Sequence, residues 1–300
     1  MSGPAAPSSP PISGHTRLLA VLGDPVRHSL SPAMHNAALR QLGLDWVYLA
    51  LPVPAADLPA VLRALAASGA VGANVTIPHK QAAVVLADEL TPLARRLGAV
   101  NTLVRREAGG WLGTNTDVEG FLAPLGGGDA WRGRRAVVLG CGGSARAVVA
   151  GLEQLGLAQL AVAARDPERL TAFLDGVAAW VAPAAVAWHD LPVALAGADL
   201  VVNTTPIGMA SANDPAAVER SPLAAAALAA LPRGATVYDL IYTPRPTSLL
   251  RQAAAHGCRV IDGLEMLVQQ GAAALRLWTG QGQVPVGAMR SAALAQLGGP

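Results

Sequence analysis

The chain has almost no lysine: of its 22 basic side chains, 21 are arginine and the single exception is Lys80. Arg meets every other need for positive charge, so the one amine asks for a chemical reason. Acidic residues number 20, leaving a net charge of +2 and no general field for nucleic acid or an anionic lipid surface. Two cysteines, Cys141 and Cys258, are too few for a disulfide framework, and their spacing fits no metal pattern. No metal is expected. Aromatics are scarce as well, 11 in 300 residues, yet 52% of the side chains are hydrophobic, enough for one large or two ordinary cores. Long apolar runs are missing. Segments 176–188 and 221–232 are shorter than a bilayer span and contain or adjoin Pro. No signal-peptide pattern opens the chain, and its first 14 residues, MSGPAAPSSPPISG, predict a disordered tail. Together these absences predict a soluble protein of the reducing cytoplasm.

From about Arg17 onward, short β-branched runs alternate with Ala/Leu-rich helical segments. The pattern predicts strands at 18–22, 47–51, 73–77, 136–139, 160–164, 200–203, 236–240 and 259–261. Helices such as 32–42, 58–67, 145–155 and 248–256 fit between them. Such alternation predicts parallel α/β sheets with helices on both faces. A glycine-rich break, LGGGD at 125–129, divides the pattern. The chain therefore reads as two α/β units, the second beginning near residue 118.

The second unit opens with an apolar strand that runs into Gly140-Cys-Gly-Gly-Ser-Ala145 and then a helix. In this G-x-G-x-x-A pattern Gly140 permits the tight turn, Gly142 lets backbone approach a pyrophosphate, and Ala145 keeps helix close to strand. Gly143 and Ser144 stand at the helix N-terminus, whose free N–H groups and partial positive charge suit phosphate. The next strand ends in Ala164-Arg165-Asp166-Pro-Glu-Arg169. An acidic residue at the strand tip would select the free ribose of NAD. Ala164 holds that tip, while Arg165 and Arg169 can fork a 2′-phosphate, which favours NADP. Asp166 has a second reading, as cap of the helix that Pro167 opens.

The first unit concentrates polar side chains in short patches. Residues 23–36 read GDPVRHSLSPAMHN. Ser31 before Pro32 predicts an N-cap, whereas Ser29 has no such structural duty, and two hydroxyls beside a helix N-terminus suit a carboxylate. In Asn74-Val-Thr-Ile-Pro-His-Lys80, Asn74 and Thr76 share one face of a predicted strand. Lys80 then precedes a short helix, where a helix dipole disfavours an ammonium; proton transfer gives a reason for placing it there. The chain has six asparagines, and Asn74, Asn101 and Asn115 all fall in these patches. Asp117 closes the third patch, with helix capping as its structural alternative. Near the C-terminus, Gln269 and Gln270 lie on adjacent faces of a predicted helix, so that one of them can reach a ligand.

These motifs, in this order, resemble the bacterial shikimate dehydrogenases from about Arg17 to the last helices. The resemblance rests on GDPVxHSLSPxMHN at 23–36, NVTIPHK at 74–80, Asn101-Thr102, GxNTD at 113–117 and the Gly140 loop. It rests also on NTTPIGM at 203–209, YDLIY at 238–242 and the segment from Gly263 to Gln270. It implies an N-terminal substrate domain, residues 15–117 with 263–300, and a Rossmann-like NADP domain, 118–262, with a cleft between them. The substrate domain would carry a mainly parallel sheet. The resemblance further implies reversible reduction of 3-dehydroshikimate to shikimate by NADPH, on the route to chorismate and the aromatic amino acids.

Within that resemblance Ser29 and Ser31, helped by Tyr242, take the substrate carboxylate. Asn74, Thr76, Asn101 and Gln270 hold ring hydroxyls, and Lys80 and Asp117 form the catalytic pair. Thr204, Met209, Ile241 and Gly263 join the cofactor site. The family usually has Asn-Arg-Thr where this chain has Ala164-Arg165-Asp166, a departure that bears on the choice of NADP over NAD. Three alternatives stay open: a broader quinate/shikimate dehydrogenase, a folate-type dehydrogenase, and a non-enzymatic NADP-binding regulator. The expected partners are small molecules only, with no nucleic acid and no membrane, in a monomer or a homodimer.

Overall fold

A computed structural model describes residues 11–127, 129–211 and 214–298. Residues 1–10 of the expected tail lie outside the described residues; 11–14 are exposed and outside any helix or strand. In chain order the elements are β1 (Arg17–Gly23), α1 (Ser31–Gln41), β2 (Trp46–Pro52), α2 (Leu58–Ala67), β3 (Gly72–Val75) and α3 (Ala82–Leu86). Then come β4 (Glu89–Leu90), α4 (Pro92–Leu97), β5 (Thr102–Arg105), β6 (Trp111–Thr114), α5 (Asp117–Leu122) and β7 (Arg135–Leu139). They are followed by α6 (Gly143–Gln154), β8 (Gln159–Ala164), α7 (Pro167–Val177), β9 (Ala184–Ala187), α8 (Leu191–Leu195) and β10 (Leu200–Asn203). The last are α9 (Ala225–Ala229), β11 (Thr236–Asp239), α10 (Ser248–His256), β12 (Arg259–Ile261), α11 (Leu264–Thr279) and α12 (Val286–Leu297).

Two compact units divide the chain: Met1–Thr116 with Val268–Pro300, and Asp117–Leu267. Asp117 and residues 263–267, which the motifs put with the first domain, thus belong to the second unit.

The first unit is built on a six-stranded sheet of order β2-β1-β3-β5-β6-β4. β1 runs parallel to both β2 and β3, and β4 parallel to β6, but β5 is antiparallel to β3 and to β6. The sheet is therefore mixed. The hairpin β5–β6 is absent from the predicted strands because its ends, Thr102 and Thr114, belong to the polar patches, which read as chemistry. Ala20, Leu22, Val75 and Leu103 point to the α2 side of the sheet, where they pack on Leu58, Leu62 and Trp111. Burial of each Leu there contributes roughly 1.5–3 kcal/mol. On the other side the Trp278 indole of α11 donates Nε1–H to Leu103 O at 2.9 Å. A side chain at Gly72 would collide with that indole, so Gly is required by the close approach. His35 of α1 is buried and stacks on Tyr48 of β2 with ring centroids 4.2 Å apart. Burial pushes its pKa down to about 3, so the ring is neutral at ordinary pH.

The second unit has six parallel strands in the order β12-β11-β10-β7-β8-β9. The chain starts at β7 in the middle, winds outward through β8 to β9, then returns to β10 and winds the other way. That is the doubly wound order, and its reversal lies between β7 and β10, where ligands bind at the carboxyl ends of the strands. Strand residues alternate between two cores. Val138, Val162 and Val202 meet Phe121, Val148, Leu152 and Phe173 on one face, whereas Val137, Leu139, Val201 and Val237 meet Leu191, Leu195, Leu249 and Leu250 on the other. β9, with sequence AAVA, is absent from the predicted strands, since three of its four residues are Ala and carry little strand preference.

Candidate active site

In the first unit α1 begins one residue earlier than its sequence suggests. Leu30 takes the N-cap position with no side-chain cap, and Ser31 is the first helical residue. Ser31 is thus not the cap its sequence predicts, and its hydroxyl is available for another purpose. The Ser31 N–H donates to Ser29 Oγ at 3.2 Å, which leaves the Ser29 hydroxyl proton to be given elsewhere.

Tyr48 is locked from both sides of its backbone, because the Asn36 amide donates to Tyr48 O at 2.8 Å and accepts from Tyr48 N–H at 2.9 Å. Its hydroxyl donates to Asn74 Oδ1 at 2.7 Å. The antiparallel register sets Asn74 opposite Thr102, and Asn74 Nδ2 donates to Thr102 Oγ1 at 3.0 Å and to Asn101 O at 3.2 Å. Thr102 in turn donates to Asn101 Oδ1 at 3.0 Å. That oxygen also accepts from Thr116 N–H at 2.8 Å, while Asn101 Nδ2 donates to Thr116 Oγ1 at 3.0 Å and to Gln270 Oε1 at 3.5 Å.

Three predicted substrate residues, Asn74, Asn101 and Gln270, are therefore joined in one hydrogen-bonded row, and Ser29 and Ser31 are joined to each other. Of the two adjacent glutamines, Gln270 is the one that faces Asn101. Asn115 differs from the other two asparagines in its use, donating to Ala99 O at 3.0 Å and so holding the chain that leads to Asn101. Sequence reasoning misses Tyr48, Thr102 and Thr116 as site residues. The only sequence signal for Tyr48 is a tyrosine in an otherwise aliphatic strand of a chain with three tyrosines.

Thr76 and Lys80 lie on the segment that follows β3. That segment is tied down by Thr76 N–H to Leu22 O at 2.9 Å, His79 N–H to Thr76 O at 2.8 Å and Val100 N–H to Lys80 O at 2.8 Å. His79 is buried, its Nε2 at 2.7 Å from Val53 O. Lys80 is thus carried on a fixed stretch of backbone just ahead of α3, and its side chain is half-buried.

In the second unit, Gly140 follows β7 with φ +103°, a conformation that L side chains rarely adopt, and a Cβ there would stand 2.7 Å from Thr204 Oγ1. Gly142 precedes α6 with no side-chain cap, and nothing lies within 4 Å of where its Cβ would be. The uncapped N-terminus of a twelve-residue helix beside open space fits a pyrophosphate. Ser144 is half-buried in the first turn, and Ala145, with no exposed surface, packs α6 onto the sheet. Ala164 ends β8 as predicted, and Asp166 caps α7, accepting from Glu168 N–H at 3.0 Å and Arg169 N–H at 3.1 Å. Arg169 lies close enough to Cys141 of the Gly140 loop to oppose the upward pull of burial on that thiol. Arg165 lines a cavity of about 470 Å³ with Pro206, Ile207, Gly208 and Arg220.

Asp117 is buried as the first residue of α5 rather than its N-cap. Asp239 ends β11 with no exposed surface, accepting from Asn203 Nδ2 at 2.9 Å, Ile241 N–H at 3.2 Å and Thr247 Oγ1 at 2.7 Å. Burial raises its pKa to about 6 against the pull of those three donors. Asn203 also accepts from Thr205 N–H at 3.0 Å, so one carboxyl fixes the turn after Thr204 and the segment with Ile241 and Tyr242. Burial also pushes the Tyr242 hydroxyl up. Gly263 gives its N–H to Ile241 O at 3.2 Å, and any side chain there would collide with Leu240 O. Met209 is exposed. Among the described residues, no helix is long and apolar enough to cross a membrane and no group of three or more His, Cys, Asp or Glu could hold a metal.

A curated relative from Nostoc sp. strain PCC 7120, named shikimate dehydrogenase (NADP(+)), is 50% identical over 295 residues, covering 96% of this chain and 99% of its own. The chain belongs to the shikimate dehydrogenase family. The family's substrate binding domain matches residues 21–103, which hold Ser29, Ser31, Asn74, Thr76, Lys80 and Asn101, and its C-terminal domain matches 263–294, with Gln270. The shikimate 5-dehydrogenase of Thermus thermophilus, solved with NADP(H) and shikimate, superposes with a TM-score of 0.81 at 39% identity, covering 94% of this chain and all of that one. A 5-ketofructose reductase from a Gluconobacter strain reaches 0.79 at 29% identity, over 94% and 99% of the two chains. The fold alone therefore does not choose the substrate; the polar row has to.

Proposed function

We propose that this protein catalyses the reversible reduction of 3-dehydroshikimate to shikimate with NADPH. The observation that carries this reading is the near-complete match to a relative of that name at 50% identity. The row of hydroxyls and amides in the first unit suits a small acid bearing several ring hydroxyls. Ser29 and Ser31, with Tyr242, take the carboxylate. Asn74, Thr76, Asn101 and Gln270 take the ring hydroxyls. Gly140, Gly142, Gly143, Ser144 and Ala145 hold the pyrophosphate, with Arg165 and Arg169 on the 2′-phosphate and Thr204, Met209, Ile241 and Gly263 toward the nicotinamide. Two free cysteines, Cys141 and Cys258, accord with a reducing cytoplasm.

The bound cofactor supplies the hydride that C3 of the substrate receives. As the C3 carbonyl becomes an alcohol, its oxygen gathers negative charge and needs a proton. Lys80 Nζ stabilises that charge and delivers the proton, then recovers one from solvent. Asp117 completes the catalytic pair by accepting a hydrogen bond from a substrate hydroxyl. The carboxylate clamp contributes orientation, holding the ring so that C3 faces the hydride.

Ser29→Ala tests the clamp. Its hydroxyl binds ground and transition states alike, so KM for shikimate is expected to rise about tenfold with kcat changed by less than about threefold. A fall in kcat at unchanged KM would refute a carboxylate clamp.

A further inference from the structure

Neither Tyr48 nor Thr102 has any exposed surface, so neither can touch a substrate. We propose that both are positioning residues: they hold Asn74 in a hydrogen-bond relay beneath the substrate site, its direction set by the backbone, so that Asn74 meets a substrate hydroxyl only as an acceptor. This rests on the assignment of Asn74 to a ring hydroxyl.

The direction follows from the backbone. A side-chain amide can be turned either way about its last bond, and its partners decide which. Asn74 lies 3.2 Å from the Asn101 carbonyl, which can only accept, so the amide nitrogen faces it and Oδ1 faces Tyr48. The Tyr48 hydroxyl must then donate its one proton to Asn74. At the other end Asn101 Oδ1 meets the Thr116 N–H, which can only donate, so the Asn101 oxygen is fixed there. Thr102 stands between the two amides, accepting from Asn74 and donating to Asn101. Protons are thus committed one way, from Tyr48 through Asn74 and Thr102 to Asn101. Both Asn74 amide hydrogens are used inward, on Asn101 O and Thr102 Oγ1, and the spare valence is a lone pair on Oδ1.

Packing alone does not call for these hydroxyls. Phe at 48 and Val at 102 would fill the same volume, but each would take away one of the three bonds that hold the Asn74 amide. The test is the kinetics of Tyr48→Phe, Thr102→Val and Thr102→Ser, with NADP+ Kd as a check on the rest of the molecule. We expect shikimate KM to rise about tenfold in the first two with kcat down by less than about threefold, the size of one or two lost hydrogen bonds. Thr102→Ser keeps both relay bonds and should retain a near-native KM. Tyr48→Phe combined with Asn74→Ala should be no worse than Asn74→Ala alone, since Tyr48 acts through Asn74.

An unchanged shikimate KM in Tyr48→Phe and Thr102→Val, with a raised KM in Asn74→Ala, would overturn the relay alone. An unchanged KM in Asn74→Ala would overturn the assignment beneath it. Equal loss of shikimate and NADP+ binding, or failure of Thr102→Ser to keep the native KM, would mark a merely structural role and overturn the proposal. If Tyr48→Phe does not fold, the Val and Ser variants at 102 decide the matter between them.

Discussion

Lys80→Met is expected to lower kcat by about 10³-fold, the scale of a lost general acid, while the Kd for shikimate changes by less than about threefold. The side chain is a fair match in length, and the backbone that carries it is held by bonds from Val100 and around Thr76 and His79. The loss would therefore fall on proton delivery and on the charge at the substrate oxygen. Lys80→Arg separates those two contributions. It keeps the positive charge but holds its proton too tightly to release it. It is expected to remain at least about 10²-fold below the native rate. Near-native kcat in either variant, measured under saturating substrate, would remove Lys80 from the chemistry. The composition makes the same point. In a chain that meets every other need for positive charge with Arg, the one Lys stands at the position proposed for proton transfer.

Removing the two guanidiniums after β8 should convert a preference for NADP+ into near-indifference. In the Arg165→Ala, Arg169→Ala double variant, KM for NADP+ is expected to rise by about 10- to 100-fold and KM for NAD+ by less than about threefold. Charge-assisted bonds to phosphate are worth up to about 1.5–3 kcal/mol each and less at exposed guanidiniums such as these two, and NAD+ has no 2′-phosphate to lose. The departure from the family's Asn-Arg-Thr at this place weakens the case for NADP less than the residue types suggest. Asp166, which could have repelled the phosphate or bound a free ribose, turns its carboxylate onto two N–H groups of α7. Arg165 remains beside the cavity bounded by Pro206 and Arg220. Equal losses for the two cofactors, in steady-state kinetics with each, would refute the assignment.

Where local patterning decides structure, the sequence was legible. β10 and β12, and helices α2 and α10, occur at the bounds their patterning predicts. Thr247 caps α10 through Leu250 N–H, and Gly257 closes it in the left-handed conformation, two signals that sit in the sequence itself. The Gly140 turn and the Asp166 cap were legible for the same reason. The misreadings share a cause too. β5 and β6, TLVR and WLGT, carry strand-favouring residues, but each is only four residues long and ends in a polar patch, and their place as strands comes from pairing with β3 and each other. Ser31 beside Pro32 has the local form of a cap, yet the helix starts a residue earlier and Ser31 becomes its first residue. The Tyr48–Asn74 bond joins positions 26 residues apart and depends on the registers of β2 and β3 on β1, which lies between them. No short-range pattern encodes it. The residues proposed for chemistry stand out as residue types out of place, whereas those proposed to orient them emerge only once strands are paired.

The most direct measurement follows the near-ultraviolet absorbance of NADPH when shikimate and NADP+ are mixed with the purified protein, with quinate and NAD+ in parallel. NADPH should accumulate from shikimate and NADP+, and replacing either partner by quinate or NAD+ should lower kcat/KM by at least about tenfold. No NADPH from shikimate, or quinate turned over as well as shikimate, would contradict the proposed function.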